Sequence, residues 1–166
     1  ANPDERPRPR ATHSQSDRPP SEVVPKARLN MAASRQVVLT FDGGSLGNPG
    51  QAYGSFRLSP SRGKNLPPTR LEFGYGTNNQ AEYQALIAGL EAVLLWAVKG
   101  GLDPRAILVK LRGDSQLVLN QLSGEWKVKH PDLRRLHSRA RSLIDQFGRV
   151  EFVHQPRAVT VRVLGH

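Results

Sequence analysis

Phe41-Asp42-Gly43-Gly44-Ser45-Leu46-Gly47-Asn48-Pro49-Gly50 is the stretch on which the reading of this chain turns. A short β-rich run beginning at Gln36, with Val37, Val38, Leu39 and Phe41, leads into it and gives way to glycine, asparagine and proline. That chemistry predicts a strand ending at Asp42 and then a loop. Asp42 itself has two readings: it starts a turn, as aspartate commonly does, or it is a carboxylate placed for chemistry.

Downstream, two more β-like stretches at about 52–59 and 69–76 flank a polar Ser, Arg, Gly, Lys, Asn and Pro segment, which makes a three-strand meander. A long helix is predicted over about 80–99. Its apolar positions 85, 86, 90, 93, 94 and 97 recur at helical spacing, and Gly100 and Gly101 stop it. Residues 106–111 read as a buried strand. A short helix over 116–122 and a longer one from Pro131 to about Gly148 follow, and a last strand spans 150–154. Three strands, a helix, then alternating strands and helices indicate an α/β domain with one mixed sheet covered by helices.

The chain has 166 residues, enough for one well-buried domain with a tail to spare. It contains no cysteine, so no disulfide or thiolate metal site is available, and a reducing, cytoplasmic setting is expected. The longest uninterrupted apolar run, residues 92–98, is too short to span a bilayer, and a soluble protein without a membrane partner is expected. Residues 1–34 are rich in Pro, Arg and Ser, which predicts a disordered tail. The net charge is +10, and residues 1–30 hold six basic against four acidic residues, so the patterned part carries most of it. A polyanionic partner follows, most often nucleic acid. Between 127 and 141, Lys127, Lys129, Arg134, Arg135, Arg139 and Arg141 face a single acid, Asp132. This is either a solvated helix face or a phosphate-contacting surface. Trp126 beside it reads as a packing residue.

In so basic a domain the acids are few enough to examine singly. Glu82 follows Asn79 at capping-box spacing, and Asp114, after Gly113, can also start a turn. Their settings are Thr77-Asn78-Asn79-Gln80-Ala81-Glu82-Tyr83 and Gly113-Asp114-Ser115-Gln116-Leu117-Val118. Together with the stretch around Asp42, in this order and at this spacing, they closely resemble the type 1 ribonuclease H family, in particular its archaeal-like and reverse-transcriptase-associated members. The resemblance runs from about residue 36 to 157, and it frames a ribonuclease H-like domain over 35–157.

The resemblance implies a five-stranded mixed sheet on which Asp42, Glu82 and Asp114 converge, and an endonuclease that cuts the RNA strand of RNA/DNA hybrids. Hard oxygen ligands suit two Mg²⁺ ions, with Mn²⁺ as substitute, for an in-line displacement at phosphorus. Asp42 would bridge both ions, with Glu82 and Asp114 on the leaving-group side. Gly43, Gly44 and Ser45, with Asn78 and Asn79, resemble the groups that read RNA 2′-hydroxyls, which only ribose offers. Thr77 resembles a residue holding a phosphate of the DNA strand. Asn48, Gln80, Ser115, Lys127 and Lys129 complete the expected nucleic-acid surface. His154 stands where several members carry a histidine that assists the water or product release, or it is a strand-end structural residue. A monomer is expected.

One part departs from the family. A fourth carboxylate belongs ten residues beyond His154, and here that position is Leu164. Residues 158–166 read as an atypical tail with no C-terminal helix, as an incomplete or frame-altered end would produce. The expected consequence is a weak second metal site and impaired cleavage, with a hybrid-binding module of little activity as the alternative. A domain detached from a larger enzyme fits either behaviour. His166 as a replacement ligand is unexpected without a helix behind it.

Overall fold

The computed structural model describes residues 35–166, so the tail expected over 1–34 lies outside the described residues. β1 (Gln36–Leu46), β2 (Gly50–Pro60) and β3 (Thr69–Gly76) form the meander. α1 (Asn78–Lys99), β4 (Leu108–Gly113), α2 (Gln116–Ser123), α3 (Pro131–Ile144), β5 (Arg149–His154) and α4 (Arg157–Leu164) follow. The sheet order is β3-β2-β1-β4-β5, the first three strands antiparallel and β4 and β5 parallel to β1 and to each other. This is the mixed five-stranded sheet that the sequence predicts.

β1 is the central strand, which accounts for its composition. Val37, Leu39 and Phe41, two residues apart, are fully buried among Tyr83, Leu86, Leu90 and Val93 of α1, Val109 and Leu111 of β4, and Leu133, Ala140 and Leu143 of α3. Burying each large apolar side chain of this core stabilises the fold by about 1.5–3 kcal/mol. By length and hydropathy α1 would suffice to cross a bilayer. Half of that stretch is buried within the fold, where its apolarity serves the core.

Three local expectations change. Asp42 does not end β1, because the strand continues through Gly43, Gly44 and Ser45, which pair with Gly54, Tyr53 and Ala52 of β2. Gly43 is in the strand because α1 lies on it: a Cβ there would run into the backbone of Ala81 and Glu82. α1 begins two residues earlier than its periodicity indicates, and its capping box is Thr77 with Gln80, not Asn79 with Glu82. Thr77 Oγ1 accepts from Gln80 N at 3.1 Å while Gln80 Oε1 accepts from Thr77 N at 2.9 Å.

The third change is at the C-terminal end, where the expected absence of a helix is overturned. Residues 157–164 form α4, and Leu164 is fully buried where α4 packs on β1, β2 and β4. Val159, Val161 and Val163 are stiff, and no side chain caps the N-terminus, so local propensity does not make this helix. Tertiary contacts do. Arg57 donates to the carbonyl of Val163 and Arg70 to that of Gly165, each at 3.0 Å, and Gln155 Nε2 donates to Thr160 Oγ1 at 2.9 Å.

Candidate active site

Three elements bring the acids together. Asp42 lies on β1, two residues past Thr40, and Thr40 pairs with Arg112 of the parallel strand β4. Asp114 lies two residues past Arg112, so the register alone sets the two aspartates side by side. Glu82 comes from the second turn of α1, at the helix's close contact with Gly43. One carboxylate oxygen from each of the three falls within a cluster no more than 4.8 Å across.

Burial makes the cluster electrostatically costly. Asp42 and Glu82 are 4% and 8% exposed, and Asp42 Oδ1 and Glu82 Oε2 are buried without a hydrogen-bond partner. Burial first, and then the charge of Asp114, pushes the Asp42 carboxyl above the usual carboxylate range. Burial followed by the charges of Asp42 and Asp114 pushes Glu82 well above it. Two buried, unpartnered carboxylate oxygens, converging with a third and partly exposed carboxylate, fit a divalent cation.

The other sequence-predicted residues divide into groups. Asn78 Oδ1 accepts from the Ser45 amide at 2.8 Å and from its hydroxyl at 3.1 Å, and Asn48 Oδ1 accepts from the Asn78 amide at 3.0 Å. The β1–β2 turn is thereby clipped to the start of α1. Asn48, Thr77, Asn79 and Gln80 line a cavity of about 760 Å³ together with Lys127 and Lys129. Trp126, expected as a packing residue, is 46% exposed and lines the same cavity. Ser115 caps α2, accepting from Val118 N at 3.3 Å. His154 Nε2 lies 3.2 Å from the carbonyl oxygen of Asp114, next to the main chain of a site acid.

Of the remaining basic residues, Arg139 pairs with Glu91 and Arg141 with Asp145, both at 3.1 Å. The solvated-face reading fits these two, whereas Lys127 and Lys129 face the cavity. A buried relay supports that side of the molecule. The Tyr83 hydroxyl donates to Gln121 Oε1 at 2.6 Å, and Gln121 reaches toward the Lys127 carbonyl.

Two further residues join the site: Arg157, which no motif singles out, and His166, which is not expected to reach it without a helix behind it. Arg157, at the start of α4, places Nη1 3.3 Å from Asp114 Oδ2 and 3.7 Å from Asp42 Oδ1. His166, carried in by α4, has Nε2 2.9 Å from Ser55 Oγ and 3.8 Å from Asp42 Oδ2. Only the fold signals them, since α4 is not legible beforehand. Leu164 occupies the core and brings no oxygen ligand.

Residues 41–162 match the family described as reverse transcriptase-like. The bifunctional protein Rv2228c of Mycobacterium tuberculosis is 45% identical over 124 residues, covering 74% of this chain and 32% of that protein. Ribonuclease HI of Halobacterium salinarum is 46% identical over 122 residues, covering 74% of this chain and 57% of that protein. This chain thus spans about a third of the length of the mycobacterial relative. The crystal structure of RNase H1 from Halobacterium salinarum superposes with a TM-score of 0.66 at 45% identity, covering 76% of this chain and 90% of that one. LC11-RNase H1, solved in complex with an RNA/DNA hybrid, superposes with a TM-score of 0.68 at 32% identity, covering 76% and 89%.

Proposed function

The chain belongs to the type 1 ribonuclease H family, and from that premise we propose that it is an endonuclease cutting the RNA strand of RNA/DNA hybrids with divalent metal. The observation that carries this reading is the convergence of Asp42, Glu82 and Asp114, supported by the Lys127/Lys129 cavity that Asn79 and Gln80 of α1 also line. Asp42, Glu82 and Asp114 would hold the metal, which when bound activates water and offsets charge on the leaving oxygen of an in-line displacement. Mg²⁺ is proposed for an ion held by these three carboxylates alone, since all three ligands are hard oxygens. The absence of cysteine supports a cytoplasmic setting.

The chain's own residues divide the remaining work. The RNA strand is assigned to the surface formed by Gly43, Gly44 and Ser45 with Asn78 and Asn79, where a 2′-hydroxyl both donates and accepts. Thr77, Asn48, Gln80, Lys127 and Lys129 hold the DNA strand along the cavity, mainly through its phosphates. His154, at the rim beside Asp114, is placed to carry protons. A second reading, hybrid binding with slow cleavage, is favoured by one observation: Arg157 and buried Leu164 stand where a further carboxylate would complete the site.

Binding measured by fluorescence anisotropy tests the surface. The protein is expected to prefer hybrid over duplex DNA, and equal affinities at physiological salt would contradict the 2′-hydroxyl assignment. Replacing Lys127 and Lys129 together with Glu should weaken hybrid binding and reduce the slope of log K against log salt by about 1 to 2, because each lost phosphate contact removes roughly one released counterion. An unchanged slope would return both lysines to a solvated face.

A further inference from the structure

We propose that His166 is a nitrogen ligand to a divalent ion held at Asp42, giving a mixed nitrogen–oxygen site that takes a first-row transition ion such as Mn²⁺ or Co²⁺ in preference to Mg²⁺. The proposal rests on the metal-dependent reading of the carboxylate cluster and adds a donor that the cluster alone does not contain.

The placement is built from three sides. Arg57 and Arg70 hold the carbonyls of Val163 and Gly165, so the end of α4 is fixed to β2 and β3. Gly165 then adopts φ 75°, in the left-handed region, and the amides of Gly165 and His166 both donate back to the Val161 carbonyl, at 2.9 and 3.1 Å. This reversal carries the imidazole back over the sheet. Asp42 and Ser55 are directly paired across β1 and β2, so their side chains share a face, and one ring nitrogen of His166 meets both.

Two donor atoms 3.8 Å apart are within the span of ligands bound at about 2.0–2.2 Å to a common ion. The two oxygens of Asp42 have different neighbours. Oδ1 faces Arg157 and is otherwise unpartnered, while Oδ2 faces His166. Asp42 is 95% buried as a side chain, so its charge cannot be satisfied by bulk water, whereas Arg157 is 68% exposed and free to move aside. Imidazole nitrogen suits manganese-to-zinc ions and adds little for Mg²⁺, which selects oxygen. On binding, Nε2 would exchange its contact with the Ser55 hydroxyl for the ion.

Pulsed electron paramagnetic resonance of the full chain loaded with Mn²⁺ reads this directly. A ¹⁴N coupling is expected in the wild type and in His154→Gln, and is expected to vanish in His166→Gln. Calorimetric titration should show His166→Gln weakening Mn²⁺ about tenfold while Mg²⁺ changes by less than about twofold. Mn²⁺ bound in an Asp42-dependent manner without nitrogen coupling, or with coupling that survives in His166→Gln, overturns the proposal and leaves the carboxylate site standing. Mn²⁺ binding that Asp42→Asn does not affect overturns both.

Discussion

Asp42→Asn is expected to lower hybrid cleavage by at least about a thousandfold while leaving the protein folded and, without metal, more stable than the wild type. The loss follows from removing the carboxylate that belongs to the acidic cluster and also faces His166, and a preorganised electrostatic contribution of this kind commonly carries that much rate. The stability gain has the opposite origin. Asp42 is buried, its carboxyl is raised by burial and by Asp114, and its own charge raises Glu82. Because the folded state holds these protons more tightly than the unfolded chain, the stabilisation is complete below the ordinary carboxylate value of about 4 and is lost as pH rises through the raised ones. The metal-free wild type should therefore lose Tm between mildly acidic and neutral pH. Divalent ion should restore it, and the asparagine variant should show a flatter pH curve with little metal response. Differential scanning calorimetry with and without metal at pH 5 and pH 8 checks all three. A variant with wild-type metal response would separate Asp42 from the site.

The second large effect lies in a residue with no side chain. Gly43→Ala would drive a Cβ into the backbone of Ala81 and Glu82, where no flexible side-chain end can yield. Overpacking usually costs 1–3 kcal/mol, and a backbone neighbour places this case near about 3 kcal/mol, on the order of 10 °C in Tm for a domain of this size. Relief requires α1 to lift from β1, and Glu82 moves with it. A displacement near 1 Å at a reacting centre costs on the order of a hundredfold in rate. Cleavage measured well below Tm should thus fall even though every polar group of the site is retained. Wild-type Tm and rate together would show that the helix does not lie as closely on the strand as described.

Much of this architecture is legible in residue patterns. The alternation in β1, the helical spacing of 85, 86, 90, 93, 94 and 97, and the settings of Asp42, Glu82 and Asp114 lead to the sheet and to its acidic cluster. What stays hidden depends on long-range packing. Gly43 and Gly44 read as turn residues because local chemistry cannot distinguish a glycine that bends the chain from one that admits a neighbouring backbone. Residues 158–166 read as tail because valines and a capless start describe no helix, and the anchors of the helix over 157–164, Arg57 and Arg70, lie about a hundred positions away. Arg157 and His166 follow from that helix, so neither can be placed before it is seen. Lys127 and Lys129 are separable from Arg139 and Arg141 only once acidic partners are found for the latter pair.

The most direct measurement is cleavage of an RNA/DNA hybrid labelled on its RNA strand, run with Mg²⁺, with Mn²⁺ and with chelator, alongside the same sequence as duplex RNA and duplex DNA. The expected result is metal-dependent cutting within the RNA of the hybrid, faster with Mn²⁺ than with Mg²⁺, leaving 5′ phosphate and 3′ hydroxyl ends and both other duplexes intact. Cutting that persists in chelator, or an intact hybrid under both metals at protein concentrations that saturate binding, would contradict an endoribonuclease built on Asp42, Glu82 and Asp114.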